Sequence, residues 1–334
     1  MLLCLPGLLG ACSKTSRPVQ LDFVGASTLT SGNRTVTAND TLTTRIYAVG
    51  NDDTLRHLRV TVAYSPGLSP IAYPTPVASF DPGDAPPTQE IVYLDTLINP
   101  LFQGDRPPVG GEYLFDNAFA ARATSGTELW QYTIYDKKGE TASRALRLTV
   151  RKADSAAVYH SYIARLRPVP RNRTVAASAR ANRRVYLNLR TGLQLPKYAV
   201  VNNQATVQGN QPLVDVIANS IDGTSVSFNA PIDTTVFKLN MRQWPIKNRN
   251  ATVLRSTRLT ETDFANITTV AGIANAFAAS AAFNDPFSTG VLAKNQVVAF
   301  RVTENSVTYT GLLLVSNLVL GTSPVLTCSV KVTK

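Results

Sequence analysis

The chain has 334 residues, of which 33 are lysine or arginine and 22 are aspartate or glutamate, so its formal net charge is +11. Hydrophobic residues make up 44 % of it and charged residues 16 %, which excludes a disordered or low-complexity protein. Because His57 and His160 are its only histidines, a multi-histidine metal site is excluded as well, and we expect no metal or other cofactor.

The first eleven residues, MLLCLPGLLGA, are uncharged and apolar but too few to cross a bilayer as a helix, which takes about 20 residues. We interpret residues 1–11 as a signal peptide. The end of this segment together with the next residue, Leu9-Gly10-Ala11-Cys12, resembles the lipobox of bacterial lipoproteins. The resemblance implies cleavage before Cys12, lipid attachment to its thiol and a lipidated linker over residues 12–18. A buried N-terminal strand with a chance cysteine is the alternative.

Residues 19–152 are predicted to form a β-sandwich, because apolar and polar residues alternate along several short segments. The alternating positions are Val19/Leu21/Phe23, Leu42/Thr44/Ile46, Leu58/Val60/Val62/Tyr64, Trp130/Tyr132/Ile134 and Leu146/Leu148/Val150. Segments rich in proline and glycine, at 81–87 and 104–111, separate strands and indicate loops.

Residues 128–150 read as a strand, an Asp-Lys-Lys-Gly turn and a second strand that ends in Thr-Val. Asp136 and Gly139 supply the side chain and the backbone freedom that such a turn needs. The segment resembles the last hairpin of bacterial immunoglobulin-like (Ig-like) domains. That resemblance implies an N-terminal Ig-like β-sandwich.

A short polar linker over residues 153–158 is expected to lead into a second, β-rich α+β domain over residues 159–334. It contains one Ala-rich helical segment, for which Thr260 is the predicted N-cap, with Glu261 and Asp263 in the first turn. The Thr268-Thr269 pair and Gly272 are expected to break the helix, and Asn284-Asp285-Pro286 to end it. The predicted fold class is therefore mainly β.

Several short motifs of the second domain occur in the order of a recurrent module. They lie at 184–192, 214–217, Trp244 with 249–252, 259–264 and 298–301. Together they resemble the C-terminal domain of outer-membrane lipoproteins of Bacteroidetes-type bacteria, which an Ig-like domain often precedes. The resemblance implies an outer-membrane location and no settled activity. An acidic run after the lipidated cysteine tends to mark surface export in these bacteria, whereas Ser13-Lys14-Thr15-Ser16-Arg17 is basic, so the membrane face stays open.

The positive charge is confined to the second half. Residues 1–154 hold 14 basic and 15 acidic residues, a net of −1, whereas residues 155–334 hold 19 and 7, a net of +12. Between Asp154 and Asp215 there is no acid, and the arginines there are Arg165, Arg167, Arg171, Arg173, Arg180, Arg183, Arg184 and Arg190. Because guanidinium groups bind phosphate and carboxylate bidentately, we interpret them as a docking surface for lipopolysaccharide phosphates, an acidic glycan or extracellular DNA. A solvated face whose acids come from elsewhere in the fold is the alternative.

The remaining candidates carry weaker signals. Trp244, beside several hydrogen-bonding side chains, is a candidate for stacking on a sugar ring, the alternative being a packed indole. His57 is expected to face solvent, and Cys328, left without a disulfide partner, to be a buried core residue. The carboxylates Asp215, Asp222 and Asp233 form no recognisable pair.

These observations predict a protein that is not an enzyme. We expect a lipid-anchored cell-envelope protein that acts in adhesion or binds a glycan or anionic polymer. A structural or accessory lipoprotein that docks to an outer-membrane protein is the alternative. Specific nucleic-acid recognition is not expected, because no DNA- or RNA-binding motif accompanies the charge.

Overall fold

The computed structural model describes residues 17–66, 89–102, 110–151, 159–170, 183–201, 204–233, 239–304 and 306–333. The predicted signal peptide, the lipidation site Cys12 and the linker over 153–158 lie outside the described residues. Strands make up 51 % of the described residues and helices 11 %, which confirms the prediction of a mainly β protein.

The first half contains eight strands in two sheets that pack face to face. The strands are β1 (Val19–Phe23), β2 (Arg34–Thr37), β3 (Thr41–Gly50), β4 (Leu55–Pro66), β5 (Gln89–Leu97), β6 (Glu112–Ala120), β7 (Gly126–Asp136) and β8 (Thr141–Arg151). One sheet has the order β1-β3-β6 and the other the order β2-β8-β7-β4-β5. Adjacent strands are antiparallel except β2 and β8, which are parallel.

The predicted hairpin over residues 128–150 is confirmed as β7 and β8, with Tyr135 opposite Thr141. Asp136 Oδ1 accepts a hydrogen bond from the backbone N–H of Glu140 at 2.9 Å, and Gly139 adopts a φ of +90°. A residue with a Cβ rarely adopts that φ, which is why the turn needs a glycine at this position. Asp136 and Gly139 therefore play the roles that the sequence predicted for them.

Aromatic side chains fill the space between the two sheets. The rings of Phe119 and Trp130 lie 4.1 Å apart between centroids, and Phe23 meets Tyr132 edge-on at 5.5 Å. The Asn117 side chain donates to the Tyr132 hydroxyl at 2.8 Å, so the buried phenol is not left without a partner. Each inward side chain comes from an alternating position of a strand, which is why the period of two predicted these strands.

The second half forms two further antiparallel sheets. Its strands are β9 (Tyr159–Leu166), β10 (Arg184–Leu187), β11 (Gln194–Pro196), β12 (Val216–Asn219), β13 (Ser227–Asn229), β14 (Val253–Ser256), β15 (Ala281–Ala282), β16 (Val297–Glu304), β17 (Val307–Val319) and β18 (Val325–Thr333). The smaller sheet has the order β11-β10-β12-β13, and the larger the order β15-β14-β16-β17-β18-β9. Cys328, on β18, is a free and fully buried thiol, as predicted.

The predicted Ala-rich segment contains two helices, α2 (Glu261–Asn266) and α3 (Val270–Ala279), preceded in the chain by a short helix α1 (Ala205–Gln208). The predicted N-cap is confirmed, because Thr260 and Asp263 form a reciprocal capping box.

The interruption and the end of that segment differ in part from the prediction. The helices are separated around Thr268-Thr269, but Gly272 lies inside α3, where its N–H donates to the N-cap side chain of Thr269 at 3.0 Å. The predicted end at residues 284–286 was wrong. Helix α3 ends at Ala279 with Ser280 as its C-cap, because Ala281 and Ala282 pair with β14 as β15.

The two halves share one apolar core. Tyr186, Leu195 and Trp244 of the second half pack in the same cluster as the side chains between the sheets of the first half. Asn39, with a φ of +67°, bonds across the junction: its side chain donates to Ile163 O at 2.7 Å and accepts from Gln194 Nε2 at 2.8 Å. The packing therefore continues across the predicted domain boundary.

Candidate anion-binding cleft

A cleft of about 310 Å³ lies where the two halves meet. The first half supplies one wall from its outer sheet face, and the second half supplies the opposite wall. The described residues that line it are Thr41, Ala118, Arg167, Arg183, Arg184, Ser323 and Val325. Three of the eight arginines singled out in the sequence thus come together at one place.

Local structure holds the three arginines there. Arg167 follows β9, and its backbone N–H donates to Arg184 O at 2.9 Å, which ties the end of β9 to the start of β10. The Arg183 guanidinium donates to Ser323 Oγ at 3.0 Å, in the connection between β17 and β18, and to Pro168 O at 3.4 Å. Three separate parts of the second half are therefore joined at this wall: the end of β9, the start of β10 and the connection between β17 and β18.

Within the part of the chain that the structure describes, no acid forms an ion pair with these arginines. None of the ion pairs formed among the described residues includes Arg167, Arg183 or Arg184. Burial, together with the positive charge of Arg167, lowers the pKa of Arg183. Burial is also the main cause that lowers the pKa of Arg184, and Arg167 and Arg165 add to it. Arg183 and Arg184 are partly buried and Arg167 is exposed, and like charges grouped in this way create a positive potential that favours a bound anion.

Among the described residues, the predicted arginines Arg165 and Arg190 do not line the cleft. Arg165 is exposed on the edge strand β9, close enough to act on Arg184 by its charge. Arg171, Arg173 and Arg180 lie outside the described residues.

For Arg190 the prediction of an unopposed charge was wrong. Its guanidinium pairs with Glu304 at 2.7 Å and lies 4.5 Å from the centre of the Tyr309 ring. Glu304 is 114 residues away along the chain, so only the folding of β16 beside this loop supplies the opposing acid.

The prediction that Trp244 stacks on a sugar was also wrong. The indole is 0 % exposed, meets the ring of Tyr186 edge-on at 5.7 Å and donates from Nε1 to Asn248 O at 3.0 Å. Arg249 in turn donates to Trp244 O. The packed indole, which was the alternative, is the observed structure, because this turn folds inward onto the shared core.

His57 does not face solvent as expected. It is half-buried, with Nε2 against Asp95 Oδ1 and its ring 5.1 Å from that of Tyr135. Thr206 Oγ1 donates to the other oxygen of Asp95 at 2.5 Å. The Asp95 carboxylate thus lies between the Thr206 hydroxyl and the His57 imidazole. In a catalytic triad the imidazole lies next to the nucleophilic hydroxyl, so this order differs from that of a triad.

The carboxylates named in the sequence have separate partners. Asp215 is buried and accepts hydrogen bonds from Leu189 N and Asn250 Nδ2, and burial raises its pKa to about 7. Asp222 is partly exposed and bonds to Thr224, while Asp233 is buried beside Asn229. No cluster of three metal-ligating side chains occurs in the part of the chain that the structure describes.

One buried charge escaped the sequence analysis. Arg122 is 2 % exposed, with its guanidinium 3.6 Å over the ring of Tyr64 and its Nε 3.6 Å from Glu128 Oε1. No local pattern marks this pair: Arg122 follows the end of β6, Glu128 lies on β7, and nothing in the sequence near either residue points to the other. Since Glu128 compensates the charge, Arg122 differs from the cleft arginines and offers no free positive potential.

Fold and cleft together define a mainly β protein with an arginine-lined cleft between its halves. Among the described residues, no helix has both the length and the apolar character that a membrane span requires.

No family model and no curated protein matches the chain. Among solved structures, it is similar to the crystal structure of a DUF4466 family protein from Parabacteroides merdae. The two are 11 % identical, the match covers 95 % of this chain and 99 % of the other, and the TM-score is 0.30.

Proposed function

We propose that the chain is a non-catalytic, lipid-anchored cell-envelope protein that binds an anionic glycan or lipopolysaccharide through the cleft. The observation that carries the proposal is the convergence of Arg167, Arg183 and Arg184 with no ion-pair partner among the described residues. Guanidinium forks suit phosphate and carboxylate groups, which are the charged groups of such polymers.

The Ig-like character of the first half is part of the proposal. The first two strands of this half are short and join different sheets. Strand β1 pairs with β3, whereas β2 runs parallel to β8, the last strand of the half. Seven or more short strands in two sheets, with a buried tryptophan between them, support an Ig-like sandwich. In this role it would hold the basic half away from the lipid.

The location rests on the lipobox-like run ending at Cys12. We propose attachment to the outer membrane through that cysteine, with the membrane face left open by the basic segment that follows it. The prediction that the protein does not recognise specific nucleic-acid sequences is kept, because no base-reading motif accompanies the arginines.

Salt-dependent retention tests the proposed function. The full chain without its leader is applied to immobilised heparin and to lipid A, and the eluting salt concentration is compared with that of a triple variant, Arg167→Gln, Arg183→Gln and Arg184→Gln. Lys197→Gln is the matched control, because Lys197 is an exposed cation of the same basic run outside the cleft. We expect the triple variant to elute at clearly lower salt and Lys197→Gln to elute as wild type. Retention that neither salt nor the triple substitution changes would overturn the proposal.

A second candidate function is an accessory subunit that docks to an outer-membrane protein. Exposed apolar side chains at one edge of the first half favour it: Leu101 is 59 % exposed, Phe102 54 % and Leu114 53 %. A stable complex recovered from detergent-solubilised membranes, together with no heparin or lipid A retention, would favour this candidate over the first.

A further inference from the structure

We propose that the cleft selects a terminal phosphate monoester on a sugar, in preference to the carboxylate of a uronic acid. This inference rests on the proposed function and narrows it to one chemical class.

The number and arrangement of donors favour phosphate. A carboxylate has two oxygens in one plane and is satisfied by a single guanidinium fork, whereas a phosphate monoester has three terminal oxygens in a tetrahedral arrangement. Three arginine residues line this one cleft, and they come from the end of β9 and the start of β10. They offer more donors, from more directions, than a carboxylate can use.

Two hydroxyl groups add to the donor set. Ser323 Oγ accepts a hydrogen bond from Arg183 at 3.0 Å, which leaves the serine proton to be donated to an anion. Thr41 lies on the wall supplied by the first half. Both residues are exposed, so their hydroxyl groups are accessible to a ligand.

The charge balance points the same way. The cleft holds three positive charges, and burial and mutual repulsion already disfavour the charged forms of Arg183 and Arg184. A phosphate monoester carries a charge of about −1.5 to −2 at pH 7, whereas a carboxylate carries −1. The phosphate therefore offsets more of the repulsion.

The size of the cleft limits the ligand. Small-molecule sites have volumes of roughly 300 to 1,000 Å³, so a cleft of about 310 Å³ accepts a ligand of the size of one phosphorylated sugar. Ala118 and Val325 add small apolar surfaces to the walls, against which a sugar ring can pack.

Competition on the heparin column tests the selectivity. The full chain is bound, and glucose 6-phosphate, inorganic phosphate or glucuronate is added at equal ionic strength. We expect glucose 6-phosphate to displace the protein at a concentration at least tenfold lower than glucuronate, and Arg167→Gln to reduce that advantage to less than threefold. Arg167 is chosen because its side chain is exposed, so the variant is expected to fold, and an unchanged melting temperature verifies this. Lys197→Gln should keep the tenfold advantage.

A second arm identifies the source of the phosphate. Vesicles containing phosphorylated lipid A are compared with vesicles containing its dephosphorylated form. Binding to the phosphorylated vesicles alone, with an effect of Arg167→Gln, supports the proposal with a lipid as the carrier, while displacement by glucose 6-phosphate alone supports a free or glycan-borne phosphate.

The outcomes separate this inference from the function on which it rests. If glucuronate competes as well as glucose 6-phosphate while heparin retention still depends on the cleft arginines, the phosphate selectivity is overturned and the anion-binding function stands. If retention does not depend on those arginines at all, both are overturned.

Discussion

Lys331 Nζ lies 2.6 Å from the carbonyl oxygen of Phe264 and donates a hydrogen bond to it. The same ammonium group donates to Ala265 O at 3.1 Å and to Ile267 O at 2.7 Å, so it satisfies the free carbonyls at the end of α2. A cation at a helix C-terminus also interacts favourably with the helix dipole. One side chain of the last strand thus fastens the helical segment to the larger sheet.

Lys331→Met should therefore destabilise the protein. The substitution keeps the length of the side chain but leaves three carbonyls without their donor, and hydrogen bonds to charged groups contribute about 1.5–3 kcal/mol. We expect a loss of about 2 kcal/mol in the free energy of unfolding, measured by urea denaturation. Lys294→Met, at an exposed lysine, is the control and should change stability little. Equal effects of the two substitutions would contradict the capping role.

The capping box of α2 gives a second prediction. Thr260 Oγ1 accepts from Asp263 N at 3.1 Å, and the Asp263 carboxylate accepts from Thr260 N at 2.8 Å. Thr260→Ala removes the first of these bonds, and the loss of an N-cap costs about 1 kcal/mol. Thermal unfolding should show a lower Tm for Thr260→Ala than for Thr268→Ala, which alters an exposed threonine between the helices. Identical Tm values would show that the cap contributes nothing.

The buried carboxyl of Asp215 makes stability depend on pH. Burial raises its pKa to about 7 in the folded protein, whereas an aspartate in the unfolded chain has a pKa of about 4. The folded state therefore binds this proton more tightly, so the contribution of Asp215 to stability is present below about pH 4 and is lost as the pH rises to about 7.

Asp215→Asn tests that sign. Its free energy of unfolding should increase relative to wild type as the pH is raised from 5 to 8, because the amide does not ionise. Asp222→Asn is the control: hydrogen bonds to Thr224 lower the pKa of Asp222, so this carboxyl stays ionised throughout this range. Urea denaturation at several pH values measures the difference, and a constant difference between wild type and Asp215→Asn would refute the prediction.

Trp244→Ala should unfold the protein more easily without altering ligand binding. Removing a fully buried aromatic side chain costs about 3–5 kcal/mol. We expect a large drop in Tm, while heparin retention measured well below that Tm equals that of wild type, because Trp244 does not line the cleft. Weaker retention by a folded Trp244→Ala protein would revive a role in ligand binding.

Features that depend on near neighbours in the chain were predictable. The alternation of apolar residues predicted β1, β3, β4, β7 and β8, since successive side chains of a strand face opposite ways. The turn at Gly139, the cap at Thr260 and the buried Cys328 follow equally from local chemistry. The concentration of positive charge in the second half is a matter of composition alone.

Only the tertiary structure decides which charged side chains come together and which of them form an ion pair with an acid. Arg183 is 140 residues from Ser323, and the first half supplies Thr41 and Ala118 to the same cleft, so no spacing in the sequence marks the group. Packing between the sheets of the second half likewise brings Glu304 to Arg190, and packing between the two halves buries Trp244. Electrostatic interaction and burial depend on distance in space, and in a β protein that distance is decided by which strands pair, a choice that side-chain alternation leaves open.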